Sequence, residues 1–407
     1  MRQMNLPIFS RIESIMSGND AGQWPILRRA LSIVSIGYGL VVQHRRKRFD
    51  VQHPRVQKLP CPVISVGNIT LGGTGKSPMT VYIARFLQHQ GLRPAVLSRG
   101  YRGGAEKSGG VVSDGVTIRL AADMAGDEPL MMAHQLKGVP ILVGKDRYKS
   151  GMKAILEFSV NVLVLDDAFQ HHRLFRDINL VLLDHEQPFG NGRVVPAGPL
   201  REPVPALRAA DAILLTRYKM DGASHPVQPS GIAQMRQFVP YETPIFRSGH
   251  RACIRGIWPA SCRTHPSDLF STPPVSDITL SGSRLFAFSG IARNADFRES
   301  VQNMGYSLAG FLAYSDHHHY SPRDIDHILG QAADVDADML VTTEKDACRL
   351  AGQVDWPLPL GIVGIDIAFQ KPDDAAFLQF LQDRLALFSR FGATASRPFK
   401  NRIVRHP

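Results

Sequence analysis

The sequence predicts an α/β protein with two α/β/α domains: a parallel sheet core in the first, a smaller second α/β domain, and an N-terminal membrane-associated helix. Short runs that are apolar throughout alternate with stretches of helical periodicity, which is typical of parallel sheets covered on both faces. A glycine-rich loop lies between the first such run and the first helical stretch of this pattern. An apolar segment between clusters of arginine precedes both.

The first domain is predicted over residues 51–218 from a repeated order of strand and helix. The run 63–66 is short and apolar, and 79–88 has helical spacing. Asp127 opens a further helix over 126–136, with an acidic first turn and a proline. The other predicted strands are also continuously apolar, and they cover 94–98, 140–143, 160–165, 178–183 and 212–216.

Residues 219–283 separate two α/β patterns. This stretch is rich in Pro, Ser and Gly and weakly periodic, so we predict a linker with an irregular insertion near 255–280. A second α/β domain with a closing helix follows over 284–388, and a basic tail over 389–407 ends the sequence. The predicted elements of this domain are strands at 284–288 and 339–342 and helices at 294–304 and 374–388.

The net charge of +11 is concentrated at the two ends of the sequence. Residues 1–50 hold eight Lys/Arg against three Asp/Glu, and 384–407 hold six Lys/Arg and no acidic residue. Within 1–50, the apolar segment 30–42 is followed by four cations at 45–48. A short apolar helix between cations suits a segment that lies in one leaflet of an anionic membrane, and a buried core helix is the alternative. If the segment spans instead, the positive-inside rule keeps the domain after it in the cytoplasm.

The run 72–77, Gly-Gly-Thr-Gly-Lys-Ser, has the context of a P-loop, because it follows a predicted strand and opens a predicted helix. In such a loop, backbone N–H groups point at phosphate oxygens, Lys76 reaches the β- and γ-phosphates, and the Ser77 hydroxyl binds Mg²⁺. The strict pattern has Gly where this sequence has Thr70. We predict ATP binding by the eight residues Thr70, Leu71, Gly72, Gly73, Thr74, Gly75, Lys76 and Ser77.

Acidic and basic residues near the predicted strand ends could complete a site for phosphoryl transfer. Asp166 and Asp167 follow the run 160–165, where a P-loop enzyme positions Mg²⁺ or its water. Transfer to an alcohol also needs a group that accepts the hydroxyl proton. Candidate bases are Asp127, Glu128 and the histidines at 317–319; candidate cations are Arg99, Lys145, Arg147 and Arg201. Consecutive histidines rarely face one ion well, so we predict one working histidine rather than a metal site.

Ten segments occur in an order that is highly specific in combination. They are 66–78, Ser98-Arg-Gly-Tyr101, Gly126-Asp-Glu-Pro129, Val143-Gly-Lys-Asp-Arg147, Asp166-Asp-Ala-Phe-Gln-His171, Gly190-Asn-Gly192, Pro196-Ala-Gly-Pro-Leu-Arg-Glu202, Phe288-Ser-Gly-Ile291, Asp316-His317 and Val341-Thr-Thr-Glu-Lys-Asp346. Over about residues 20–370 the sequence thereby resembles the tetraacyldisaccharide 4'-kinases, the lipid A kinases of Gram-negative bacteria. It departs from their pattern at Ala168, where Gly is usual, and in the insertion near 255–280.

The resemblance implies roles for individual residues. Asp127 matches the family's catalytic aspartate, and His317 matches the histidine that pairs with it. His318 is a rival for this role, because the histidine run is one residue longer than usual. The implied metal-side residues are Ser77, Asp166, Asp167 and Glu202, and the predicted substrate-binding residues are Arg99, Arg147, His171, Asn191 and Arg201.

The resemblance also implies a reaction and a location. With ATP and Mg²⁺ as cofactors, the 4'-hydroxyl of a tetraacyldisaccharide 1-phosphate would be phosphorylated to give lipid IVA. The implied partners are this anionic glycolipid and the cytoplasmic face of the inner membrane, with peripheral or monotopic attachment; we predict a monomer and no nucleic-acid partner. Two alternatives remain: a P-loop kinase for another small hydroxyl substrate, and a membrane-associated P-loop ATPase, which needs no acceptor base.

Overall fold

The computed structural model describes residues 8–18, 22–49, 54–218, 233, 235–260, 282–352 and 354–391. The helices are α1 (Ile8–Ser17), α2 (Pro25–Lys47), α3 (Lys76–His89), α4 (Ala122–Ala125), α5 (Asp127–Gln135), α6 (Arg147–Phe158), α7 (Asn294–Asn303), α8 (Pro322–Asp334), α9 (Glu344–Leu350) and α10 (Asp373–Phe391). The strands are β1 (Val63–Asn68), β2 (Pro94–Ser98), β3 (Gly110–Ser113), β4 (Ile141–Val143), β5 (Val162–Asp166), β6 (Ile178–Asp184), β7 (Ala212–Thr216), β8 (Ile245–Trp258), β9 (Arg284–Ser289), β10 (Ser307–Ala313), β11 (Met339–Thr343) and β12 (Leu360–Phe369). Most of the predicted insertion and of the basic tail lies outside the described residues.

The described strands form one mixed, mostly parallel sheet. Its order is β10-β9-β11-β12-β8-β7-β6-β1-β5-β2-β4-β3. Only the pairs β3–β4 and β8–β12 are antiparallel among these strands. The α/β class and the parallel core are therefore confirmed.

The central strands of the first half are buried on both faces, as their continuous apolar runs predict. Strands β1, β5, β6 and β7 are buried along their whole length. Alternate residues of β1 belong to different packing clusters, because successive side chains of a strand point to opposite faces. Ile64 packs in the cluster that contains Met79 of α3, and Val63 packs in the one that contains Ala154 of α6. Helices thus cover both faces of the sheet at β1.

The linker predicted over 219–283 contains a long strand that was not predicted from the sequence. Strand β8 pairs through its first residues with β7 and through the rest of its length with β12. It therefore joins the two predicted domains in one continuous sheet. Most of its residues are only partly buried or exposed and several are polar, so the strand lacks the continuous apolar run that predicts the others.

Helix α2 packs one narrow face against the protein and exposes the other. Its buried residues are Leu31, Ser35 and Gly39, one helical turn apart. Ser35 donates from Oγ to the Val194 carbonyl oxygen at 2.6 Å. The opposite face exposes large apolar side chains: Ile26, Ile33, Val34, Ile36, Leu40 and Val41. By length and composition alone, this 23-residue helix could cross a membrane.

Candidate active site

The loop after β1 has the geometry of a phosphate-binding loop. Strand β1 ends at Asn68, and α3 begins at Lys76. Gly72 and Gly75 adopt φ values of +94° and +79°, which only glycine adopts without strain. Asn68 donates from Nδ2 to Thr74 Oγ1 at 2.9 Å, which holds the loop back against the strand. Thr70 stands where the P-loop pattern has its first glycine, and Gly72 and Gly75 supply the glycine conformations that the loop needs.

Thr70, which replaces the usual first glycine, is held by the segment after residue 198. It forms an isolated antiparallel bridge with Leu200. The neighbouring Leu71 N–H donates to the Pro199 carbonyl oxygen at 2.6 Å, and the Arg201 N–H donates to the Ile69 carbonyl oxygen at 2.7 Å. The start of the P-loop is therefore tied to the same segment that carries Arg201.

The end of β1 also touches the loop that carries the paired aspartates. A Cβ added at Gly67 would lie 2.6 Å from Phe169 Cβ and 2.7 Å from its backbone N. Real Cβ atoms essentially never approach backbone so closely, so this position requires glycine. The contact brings Asp166 and Asp167 beside the P-loop.

Lys76 and the two aspartates form the charged centre of the site. Lys76 Nζ lies 3.7 Å from Asp167 Oδ1. Thr80 donates from Oγ1 to Asp166 Oδ1 at 3.1 Å, and Asp166 is fully buried. Burial, with the nearby carboxylates of Glu128 and Asp167, raises the pKa of Asp166. Burial would also raise the pKa of Asp167, but Lys76 and Arg201 lower it below its usual range.

The residues present fit a magnesium ion. Asp166 Oδ2 is buried and has no hydrogen-bond partner among the described residues. The described part of the chain holds no group of three or more His, Cys, Asp or Glu with metal-ligand geometry. Mg²⁺ commonly takes one or two carboxylates, with substrate phosphates and water completing its shell, so two adjacent aspartates suffice.

Asp127 and His317 meet across the two halves of the chain. Asp127 is the first residue of α5, and its Oδ2 lies 2.9 Å from His317 Nδ1. Arg349 of α9 donates to the same oxygen from Nε at 2.8 Å and from Nη2 at 2.6 Å. Burial would raise the pKa of Asp127, but the hydrogen bonds from His317 and Arg349 outweigh it and lower the pKa to about 2. The carboxylate is therefore ionised at neutral pH and orients the imidazole.

The structure distinguishes between the two rival histidines. His317 adopts a left-handed φ of +59°, a conformation uncommon outside glycine. His318 instead has Nε2 3.2 Å from Asp324 Oδ2 and stacks on Tyr314, with ring centroids 4.6 Å apart. His317 is thus the partner of Asp127.

Glu128, the other predicted base, is paired with a cation. It forms an ion pair with Lys345 of α9. The positive charge of Lys345 lowers the pKa of Glu128 more than burial raises it, so this pKa lies below its usual range. Two consecutive residues of α5 are thus bound by two basic residues of α9.

Two of the predicted substrate-binding residues, Arg201 and Arg147, lie near the paired aspartates. Arg201 donates from Nη1 to both carboxylate oxygens of Asp167 at 2.9 Å. Arg147 is buried, and its pKa is lowered to about 10. Burial is the main cause and the positive charge of Arg99 is the second, whereas the carboxylates of Asp166 and Asp167 act in the opposite direction. Burial, followed by Arg147, lowers the pKa of His171 to about 3. Arg99 is half-exposed and pairs with Glu106 at 2.6 Å.

Glu202 and Asn191, two further predicted site residues, make contacts with segments outside the P-loop. Glu202 is buried and pairs with Arg46 at the end of α2, at 2.5 Å. The Asn191 amide donates to the carbonyl oxygens of Ala197 and Ile15 at 2.8 and 3.3 Å. Glu202 Oε1 has no hydrogen-bond partner among the described residues, so a place for Glu202 beside the metal stays a prediction, as does substrate binding by Asn191.

Three basic residues that contact the site were not predicted from the sequence. Arg349 and Lys345 bind the first turn of α5. Arg217, which follows β7, donates from Nη2 to the Gly73 carbonyl oxygen at 2.5 Å and pairs with Asp184 at 3.0 Å. The sequence gives one indication of a role for Arg349: it lies one helical turn after Asp346, the last residue of the segment 341–346 that resembles the family. The strand-end position could have suggested Arg217.

Comparisons with known proteins point to one family. The family model described as tetraacyldisaccharide-1-P 4'-kinase (LpxK) matches residues 27–386. A tetraacyldisaccharide 4'-kinase of Syntrophus aciditrophicus (strain SB) is 40% identical over 363 residues, covering 87% of this chain and 93% of that protein. Another, of Desulfatibacillum aliphaticivorans, is 38% identical over 381 residues, covering 93% and 98%.

A solved structure is similar in fold along nearly its whole length. The "apo" form of LpxK from Aquifex aeolicus in complex with ATP is 29% identical to this chain, with a TM-score of 0.65. The match covers 88% of this chain and 99% of that one. The family model and these relatives span most of the sequence, so the chain belongs to the tetraacyldisaccharide-1-P 4'-kinase family.

Proposed function

We propose that this chain transfers the γ-phosphate of ATP to the 4'-hydroxyl of a tetraacyldisaccharide 1-phosphate, which forms lipid IVA in lipid A biosynthesis. The observation that carries the proposal is the contact of Asp127 with His317, in the site that also contains the P-loop. A P-loop alone serves ATPases as well as kinases. An Asp–His pair adds the acceptor for a hydroxyl proton that transfer to an alcohol requires.

The residues around the P-loop would bind and orient the triphosphate. Backbone N–H groups at the start of α3 face the phosphates, and the helix dipole favours negative charge there. Lys76 adds a full positive charge beside the transferred group. Arg201 already faces Asp167 and adds a second cation at the same place.

The reaction moves one phosphoryl group and one proton. The acceptor oxygen forms a bond to the γ-phosphorus, and the bond from that phosphorus to the β–γ bridging oxygen breaks, so ADP leaves. The hydroxyl proton passes to the Asp127–His317 pair, whose ionised carboxylate stabilises the imidazolium. When bound, Mg²⁺ supplies positive charge at the phosphate oxygens; Ser77, Asp166 and Asp167 would hold it.

The same proposal includes attachment to the cytoplasmic face of the inner membrane. The exposed apolar face of α2 is followed by the cations of residues 45–48, a combination that favours an anionic membrane surface. Contacts with the protein run along the helix from Leu31 to Arg46. A helix held along its side by the protein suits monotopic attachment better than a free crossing of the bilayer.

The choice of acceptor is tested with the full chain, Mg²⁺ and γ-labelled ATP in detergent micelles. We expect label in the tetraacyldisaccharide 1-phosphate, and none in soluble sugars or nucleosides offered at equal concentration. Label in a soluble acceptor would favour the alternative kinase. Release of labelled phosphate at the same rate with and without any acceptor would favour the ATPase.

Membrane attachment is expected to depend on the exposed face of α2. Ile33 and Ile36 are 72% and 65% exposed, so replacing both by Glu places charges where apolar side chains would enter the lipid. Burial of each such side chain contributes about 1.5–3 kcal/mol, so association with anionic vesicles should weaken at least about tenfold. Leu156→Glu on α6, where Leu156 is 75% exposed, is the matched control. Equal sedimentation of all variants with vesicles would contradict the proposed attachment.

A further inference from the structure

The last turn of α2 carries one cation that points into the protein. Arg46 Nη1 lies 2.5 Å from Glu202 Oε2, and its guanidinium lies 5.1 Å from the centre of the Phe169 ring. The Arg46 side chain is 24% exposed, whereas that of Glu202 is 1% exposed. Arg48, in the same basic run, is exposed. The run at 45–48 therefore contains a residue whose contacts differ from those of a membrane-facing cation.

The two contacts of Arg46 belong to the two segments that hold the charged centre. Phe169 lies two residues after Asp167 and packs against Gly67 at the end of β1. Glu202 directly follows Arg201, which holds the Asp167 carboxylate through both oxygens. Arg46 thus contacts both the segment that carries Asp167 and the segment that carries Arg201.

A second contact links the same helix to the same segment. The Tyr38 hydroxyl, two turns before Arg46, donates to the Arg201 carbonyl oxygen at 3.2 Å. Both contacts lie on the protein side of a helix whose opposite side is apolar and exposed. A change in the position of α2 would therefore act on the segment that carries Arg201.

Because Glu202 is buried, the loss of its ion pair with Arg46 should disturb the surrounding segment. Glu202 Oε1 is buried without a hydrogen-bond partner among the described residues, and His172 Nε2 is 3.9 Å away. Removal of one member of a buried ion pair leaves the other charge uncompensated, which is strongly unfavourable. Without Arg46, the Glu202 carboxylate would seek water or another cation, and the segment would move with it.

We propose that Arg46 is a positioning residue that couples the membrane-docked helix to the Asp167–Arg201 pair. The inference rests on the proposed function, because it concerns the rate of that transfer. Arg46 does not touch the reacting atoms. It holds in place the segments that carry Asp167 and Arg201, which lie at the reacting groups. It can do so only while α2 is packed against the protein as it is in this structure.

The test compares Arg46→Gln with Arg48→Gln in the full chain. Each variant removes one positive charge from the same basic run, so both should bind anionic vesicles equally. We expect the kcat for the glycolipid to fall at least about tenfold in Arg46→Gln and to stay within about twofold of wild type in Arg48→Gln. Equal kcat values for the two variants would overturn the inference. If the wild-type chain transferred no phosphate to the glycolipid, the proposed function would be wrong, and the inference with it.

A double-mutant cycle separates positioning from a general loss of structure. If Arg46 acts through Glu202, the kcat losses of Arg46→Gln and Glu202→Gln should not multiply in the double variant. Multiplied losses would mean that the two residues act independently and would refute the coupling. Thermal midpoints show which variants fold, and where Arg46→Gln does not, Arg46→Lys takes its place in the cycle with the same criterion.

Discussion

Replacement of Lys76 by methionine is expected to lower the kcat for transfer to the glycolipid by at least about 10²–10³-fold, because the transition state loses a positive charge. Lys76 is the first residue of α3, its side chain is 11% exposed, and its ammonium lies 3.7 Å from Asp167 Oδ1. Methionine keeps most of the length of the side chain, so the loop should retain its shape. The measurement is kcat in micelles, with the thermal midpoint as a check on folding.

Lys153→Met on α6 is the matched control. Lys153 is 46% exposed and pairs with Glu157 one turn away at 3.8 Å. Exposed pairs of this kind contribute little, so this variant should keep kcat within about twofold of wild type. Near-normal transfer by the Lys76 variant would refute the P-loop assignment, whatever the control does.

The parts of the site that lie within one short segment could be predicted from the sequence. The P-loop needs only a strand, a glycine-rich turn and a helix in succession, and 63–88 contains all three. Asp166 and Asp167 could be predicted in the same way, because they directly follow an apolar strand. The pairing of His317 with Asp127 came from the family resemblance rather than from spacing, since 190 residues separate the two.

The contacts that could not be predicted join residues far apart in the sequence. Arg349 lies 222 residues from Asp127, and Glu202 lies 156 residues from Arg46. No local periodicity encodes such a pair, because it depends on how the sheet brings distant strands and helices together. A carboxylate after a loop looks the same in sequence whether its partner is a metal ion or an arginine. The metal-side role of Glu202 came from the family resemblance and stays a prediction.

Strand β8 shows a second reason for failure. Prediction of buried strands relied on continuous apolar runs, and 245–258 contains Arg, His and Cys among its apolar residues. The strand is specified by its partners instead. It pairs with β7 at Ile245 and with β12 as far as Trp258, so it forms where the two halves meet.

Asp127→Asn is expected to reduce kcat by about 10²–10⁴-fold, the range for loss of general acid–base catalysis. The amide has nearly the same shape and can still accept hydrogen bonds from Arg349, but it carries no charge to stabilise a protonated His317. ATP binding should be retained, because Asp127 lies outside the P-loop. Asp123→Asn, an exposed position on α4, is the matched control and should leave kcat nearly unchanged.

The pH dependence of this defect follows from the lowered pKa of Asp127. The carboxyl has a pKa of about 2 instead of its ordinary 3.8, so its contribution to stability is complete above about pH 3.8 and is lost as the pH falls towards 2. The Asp127 carboxyl should therefore stay ionised from about pH 8 down to about pH 6. Arg349→Gln removes donors that lower this pKa, so acid should inactivate that variant at a higher pH than wild type. If carbon-13 NMR of the wild type showed the Asp127 carboxyl taking up a proton between pH 8 and pH 6, that result would contradict a carboxylate held ionised by Arg349.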